Sequence, residues 1–169
     1  MRFRMLDRIT ELVPGERIVA ERELTGQEDY LADHFPLFPV MPGVLMLEAM
    51  YQAAAWLIRV TDNFEYSVVR LKEARNVKYS DFVVPGQTLV VAAEFKKRDG
   101  LITSLQAQGL VHGSVAVSAR LILESVPMVD GMPGRSTTEA WARKLFRDKY
   151  ADLAIDLPIE LQSSMPVNV

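Results

Sequence analysis

The fold is decided by the stretch from His34 to Ile58, HFPLFPVMPGVLMLEAMYQAAAWLI. Its first part carries Pro36, Pro39 and Pro42, three prolines in seven residues. Each removes an amide donor and pushes the preceding residue away from helical geometry, so regular structure is excluded there. After Pro42-Gly43 the pattern turns abruptly to helix formers from Val44 through Ile58, with Glu48, Tyr51 and Gln52 as polar-capable positions. A proline at a helix start does no harm, because the amide it lacks has no intrahelical partner. Fifteen residues at ~1.5 Å each span about 22 Å, short of the ~30 Å hydrocarbon core of a bilayer, and a carboxylate sits inside. The segment is predicted to be a buried helix of a soluble domain and not a membrane span.

On the N-terminal side, Arg17 to Thr25 reads as a strand after the Pro14-Gly15 turn, with Met5 to Ile9 as its hairpin partner, and Gly26 to Asp33 as a polar loop. On the C-terminal side the pattern predicts strands at Tyr66 to Tyr79, Gln87 to Lys97, Leu101 to Val111 and Ser114 to Val126. Asp99-Gly100 and His112-Gly113 supply the short turns of hairpins, so these strands are expected to pair consecutively and antiparallel around the helix. His112, at such a turn, is expected to be exposed. Beyond Val126 the composition shifts to PMVDGMPGR, and Ser136-Thr137-Thr138-Glu139 reads as a capping box opening a second helix to about Leu153. Trp141, Leu145 and Phe146 are candidates for its apolar stripe, and Pro158 stops any continuation.

The chain has 169 residues, 49% hydrophobic and 24% charged, with a net charge of -3, which suits a domain with a substantial core. The absence of cysteine excludes disulfides, a thiolate nucleophile and an iron–sulfur cluster. Two histidines and scattered carboxylates argue against a metal centre, so no metal is expected. No basic stripe of the kind nucleic acid requires is present. The N-terminus lacks the continuous apolar segment of a secretory signal, and cytoplasmic residence is the resulting expectation.

Two groups stand out chemically. His34 precedes the proline loop, and Glu48 lies in the first turns of an otherwise apolar helix. Burial disfavours a charged carboxylate, so Glu48 could stay protonated and act as an acid while a neutral imidazole acts as base. Gln52 lies one helical turn after Glu48 and could orient it by a hydrogen bond. The amides of Gly43 and Val44 lack intrahelical acceptors at the positive end of the helix dipole and could hold an oxyanion, and Gly43 lets a ligand carbonyl approach the backbone. Taken singly, the histidine and the glutamate read as ordinary packing residues. Their combination with the proline loop and the exposed helix start is what packing does not call for.

The set His34-Phe35-Pro36, Pro39-Val40-Met41-Pro42-Gly43-Val44-Leu45, Leu47-Glu48-Ala49-Met50 and Gln52 closely resembles the signature of the 3-hydroxyacyl-acyl carrier protein dehydratases, nearest to the FabZ type. The resemblance extends from about residue 5 to 125 and includes Leu6-Asp7-Arg8-Ile9, Pro14-Gly15-Glu16-Arg17-Ile18-Val19-Ala20 and Phe82-Val83-Val84-Pro85-Gly86. It implies an α+β hotdog fold, an antiparallel sheet wrapped around a long central helix, here with an extra C-terminal helix. It also implies a homodimer with shared active sites, in which His34 faces Glu48 of the other subunit; assembly of dimers into hexamers is left open. The implied reaction converts a (3R)-3-hydroxyacyl thioester to the trans-2-enoyl thioester on the phosphopantetheine arm of acyl carrier protein, with no cofactor. In those terms His34 is the base, Glu48 the acid and Gly43 the oxyanion donor, with Phe35, Val40, Pro42, Val44, Tyr51 and Gln52 around the substrate. Glutamate at position 48 favours the FabZ over the FabA type in the family pattern.

Three features depart from that pattern. Asp33 stands where glycine is usual and could tune His34, and Tyr51 stands where alanine is usual, adding bulk or a hydrogen bond close to the acid. The third is the tail, which divides the chain into a dehydratase domain at 1–126 and an extension at 127–169. The extension is expected to pack on the sheet or a subunit edge; alternatively its basic face, or Lys96-Lys97-Arg98, receives the acidic carrier protein. Two other functions stand beside the leading one: a dehydratase of polyketide-like or aryl acyl chains, and a catalytically silent acyl-binding hotdog subunit.

Overall fold

A computed structural model of the chain describes residues 4–66, 68–126, 135–154 and 157. The elements are β1 (Arg8–Val13), β2 (Arg17–Glu23), a 3-10 turn (Asp29–Leu31), α1 (Gly43–Thr61), β3 (Val68–Tyr79), β4 (Thr88–Asp99), β5 (Ile102–Val111), β6 (Ser114–Val126) and α2 (Arg135–Leu153). All strand pairs are antiparallel, in one sheet of order β1-β2-β4-β5-β6-β3. α1 packs on β2 through β6, which is the arrangement expected from the resemblance: one sheet around one helix.

The inward residues of the strands alternate with outward ones. On β4 Leu89, Val91 and Ala93 are buried, and on β5 Leu105 and Ala107, facing Ala49, Met50, Ala53, Ala54, Leu57 and Ile58 of α1 in a single apolar core. The small residues Ala49, Ala53 and Ala54 let the sheet approach the helix closely.

The β5–β6 turn places His112 and Gly113 at φ 49° and 79°, the paired left-handed residues of a two-residue hairpin, and His112 is exposed as expected.

The sequence expectations need four corrections. β1 runs Arg8–Val13 and not Met5 to Ile9: Asp7 ends the preceding segment by accepting the Glu23 amide at 2.7 Å and the Arg22 guanidinium at 2.8 Å, while Met5 and Leu6 are buried ahead of the strand. β3 does not pair with β4. It pairs with β6, and β4 pairs with β2 instead, because the 80–87 connection crosses the end of the sheet and bonds to the proline loop. α1 extends one turn further, to Thr61, whose hydroxyl bonds Leu57 O at 2.7 Å and accepts the Gly15 amide at 2.8 Å; Arg98 then grips Asp62 with both nitrogens, at 2.5 and 2.7 Å. Finally, Trp141 is 63% exposed and is not in the buried stripe of α2, which consists of Phe146, Tyr150 and Leu153. The helix is rotated so that Phe146 and Tyr150 meet Trp56 edge-on or tilted, at 5.9 and 6.3 Å between ring centres. The capping serine Ser136 lies outside the residues whose side chains are described, as does Pro158.

Candidate active site

His34 stands at the end of a segment fixed by Glu28. That carboxylate accepts hydrogen bonds from the Thr25 amide and hydroxyl, the Gly26 amide and Arg22. Burial acts to raise its pKa, but the hydrogen bonds from Thr25 and Gly26 prevail and hold it below the usual carboxylate value. The 3-10 turn then delivers the chain to His34. Phe35 follows at φ +52°, a left-handed conformation that costs a bulky residue energy, and the Phe38 amide closes the turn onto Phe35 O at 2.8 Å. The loop is tied to the 80–87 connection by the Met41 amide on Val83 O at 2.8 Å and by Phe38 edge-on to Phe82 at 6.0 Å.

The consequence falls on the imidazole. His34 Nδ1 lies 3.0 Å from Val40 O, and since a carbonyl only accepts, Nδ1 carries the proton. In the neutral ring this contact leaves the lone pair on Nε2, the form a general base requires. Val40 is buried and contributes through this carbonyl, while Phe35 stands exposed with its ring edge-on to His34 at 4.6 Å. Asp33 is exposed and makes no ion pair with His34.

Pro42 takes the N-cap position of α1, with no side-chain cap; its carbonyl accepts the Leu45 and Met46 amides. The Gly43 and Val44 amides therefore start the helix without intrahelical acceptors, and the Val44 side chain is exposed. Gly43 is not required by a left-handed conformation. A Cβ there would come 2.9 Å from Cε1 of Tyr79, whose ring lies against the helix start from the end of β3. Tyr79 is half exposed and was not legible from the motif, because it reaches Gly43 from 36 positions away.

Glu48 is held by a relay. The Met5 amide donates to Gln52 Oε1 at 2.9 Å, which fixes the orientation of the side-chain amide, and Gln52 Nε2 then donates to Glu48 Oε1 at 2.9 Å. The hydrogen bond expected from the one-turn spacing is present. A donor on Oε1 leaves Oε2 as the oxygen that a proton occupies when the carboxyl is neutral. Tyr51 does not bond to Glu48; its hydroxyl donates to Val69 O at 2.7 Å, and burial, with the charge of Glu48 as a lesser cause, pushes its pKa up.

Glu48, Tyr51 and Gln52 open on a cavity of about 750 Å³ between α1 and α2. His34 is not among the residues lining it, so within one chain the two candidate groups belong to different surfaces. The basic surfaces are largely internally paired: Lys96 with Glu94, Arg98 with Asp62, Arg143 with Glu139 and Lys144 with Asp148. Among the described residues no group of three His, Asp or Glu side chains is placed to hold a metal ion, and no helix is long and apolar enough to cross a membrane.

A six-stranded antiparallel sheet wrapped around one long helix defines the class: a hotdog protein. A FabA-like domain is matched over residues 1–120, and the chain belongs to the FabA-like family. The chain is 40% identical over 118 residues to the 3-hydroxyacyl-[acyl-carrier-protein] dehydratase FabZ of Oenococcus oeni, covering 70% of this chain and 85% of that protein. To the FabZ of Lactococcus lactis it is 38% identical over 119 residues, covering 70% and 82%. Among solved structures, the dehydratase heterocomplex ApeI:P from Xenorhabdus doucetiae matches with a TM-score of 0.60 at 16% identity, covering 75% of this chain and 85% of that one, a likeness of fold.

Proposed function

We propose that the protein dehydrates (3R)-3-hydroxyacyl-acyl carrier protein to the trans-2-enoyl thioester, in fatty acid or related acyl-chain synthesis. The relatives named as such dehydratases support the reaction and the carrier-bound substrate. The observation that carries the assignment of roles is the Met5–Gln52–Glu48 relay, which points a carboxyl oxygen away from its own support.

His34 Nε2 removes the proton on C2, and the electron pair moves toward the thioester carbonyl, whose oxygen accepts the Gly43 amide hydrogen. Glu48 Oε2 delivers its proton to the C3 hydroxyl, which leaves as water while the C2–C3 double bond forms. The imidazolium proton then passes to the Glu48 carboxylate, directly or by exchange through solvent, and both groups are restored. Phe35, Val40, Pro42, Val44 and Tyr51 surround the chain in this reading, and no cofactor takes part. The reaction belongs with the carrier protein in the cytoplasm. Residues 1–126 carry it, and 127–169 are an extension.

Because His34 does not line the Glu48 cavity, the complete site requires a second copy, with His34 of one subunit serving Glu48 of the other. Turnover of a 3-hydroxyacyl-carrier substrate by the wild type, His34→Ala and Glu48→Gln tests the roles. Each variant is expected to lose about 10²- to 10⁴-fold in kcat; an inactive wild type, or full activity in both variants, overturns the assignment. Mixing the two dead variants tests the sharing. Random dimers should recover about a quarter of wild-type activity, since half are mixed and each mixed dimer keeps one intact site. A site contained in one chain recovers none.

A further inference from the structure

On one face of α1, Glu48, Gln52, Ala55, Trp56 and Arg59 follow one another at helical spacing along the floor of the 750 Å³ cavity. The arginine lies eleven positions after the acid, about 16 Å along the helix. The roof at the far end is Phe146 of α2, and the Arg59 guanidinium lies 4.3 Å from the centre of that ring and 5.2 Å from that of Trp56. Among the described residues it has no carboxylate partner, and its Nε is buried without a hydrogen bond. The nearby acids of α2 do not meet it: Asp148 is paired with Lys144 at 2.8 Å, and Asp152 is exposed.

A guanidinium taken out of water without a counter-ion is costly, and aromatic faces compensate only part of that cost. Burial depresses its pKa to about 10, which still leaves it charged at neutral pH. We propose that the cavity is an acyl-chain pocket whose Arg59 end recognises a carboxylate at the far terminus of the chain. The chain lies between Trp56 and Phe146, its thioester end reaches Glu48, and its terminal carboxylate takes the place of the missing counter-ion. This rests on the dehydratase reading for the identity of the ligand's reacting end, and it adds the substrate class.

The test separates the two. Saturated acyl pantetheine thioesters lack the C3 hydroxyl and cannot be dehydrated, so their binding is independent of turnover. Two such ligands of equal length, one ending in a carboxylate and one in a methyl group, are titrated against the full-length protein carrying Trp141→Phe, so that Trp56 alone reports by fluorescence. The carboxylate-terminated ligand is expected to bind at least about tenfold tighter, the range of a charge-assisted hydrogen bond. Arg59→Met should abolish that preference, and Arg59→Lys should keep part of it. Equal binding of the two ligands, or a preference that survives Arg59→Met, overturns the proposal. If Arg59→Met does not fold, the ligand pair on the Trp141→Phe protein and the lysine variant decide it. Arg59 acting only as a pin between the helices predicts a lowered Tm with no change in the ratio. Failure of the dehydratase reading shows separately, as absent turnover of 3-hydroxyacyl carriers of both kinds, methyl-terminated and carboxylate-terminated.

Discussion

His34 and Glu48 are held in opposite ways. The histidine sits on an irregular, largely exposed loop and is set by one backbone carbonyl, Val40 O, with Phe35 beside it in a left-handed conformation. The glutamate sits on a helix whose other faces are core, and is set by a side-chain relay that reaches across to the N-terminal segment. The histidine thus depends on the path of the backbone, and the glutamate on one side chain that can be deleted. Sites on rigid elements keep their geometry through packing, whereas loop-borne groups need a dedicated tie.

The contrast is broken most severely at Gln52. Gln52→Leu removes the donor to Glu48 and the acceptor for the Met5 amide together, so kcat is expected to fall about 10- to 100-fold, with a stability loss of about 1–3 kcal/mol from the unpaired amide. A kcat that stays at the wild-type level while Tm drops would make the relay structural only. The helix start is the next test. Gly43→Ala brings a methyl group against the Tyr79 ring, which is half exposed and can swing away. A modest loss in kcat/KM, severalfold, is expected, and Tyr79→Ala combined with Gly43→Ala should recover it; additive losses would place the effect in the helix itself.

The smallest effect belongs to the histidine's side. Because the folded pKa of Glu28 lies below its ordinary value of 4.5, its stabilising effect is present above that value and is lost as pH falls through the folded pKa. Amide exchange in residues 25–33 should therefore rise on acidification below about 4.5, with Glu28→Gln already raised at neutral pH. Exchange rates in this segment that do not respond to pH beyond the intrinsic chemistry would remove Glu28 as its anchor.

Contacts local in sequence were legible from it. The one-turn spacing of Glu48 and Gln52 became a hydrogen bond, and His112-Gly113 became a two-residue turn. What escaped depends on distant pairing. The position of β3 beside β6, and the packing of Tyr79 on Gly43, follow from a crossing connection that no local pattern encodes. Met5 finds Gln52 47 positions away. Trp141 misled because an aromatic residue usually seeks the core, whereas the rotation of α2 was set by Phe146, Tyr150 and Leu153 together. Arg59 was visible on the same stripe as Glu48, yet its significance required seeing that α2 closes over it without supplying a carboxylate.

The uncapped start of α1 also says something about folding. Most helices finish their first turn with a side chain of their own; this one begins at Pro42 and leaves the Gly43 and Val44 amides open. In the proposed mechanism a thioester oxygen seated there acts as the missing N-cap, so the ligand completes a piece of secondary structure that the chain alone leaves unfinished. Substrate binding and the local stability of the helix are then one equilibrium: whatever strengthens the first turn in the absence of ligand weakens the hold on the oxygen it was left open to receive.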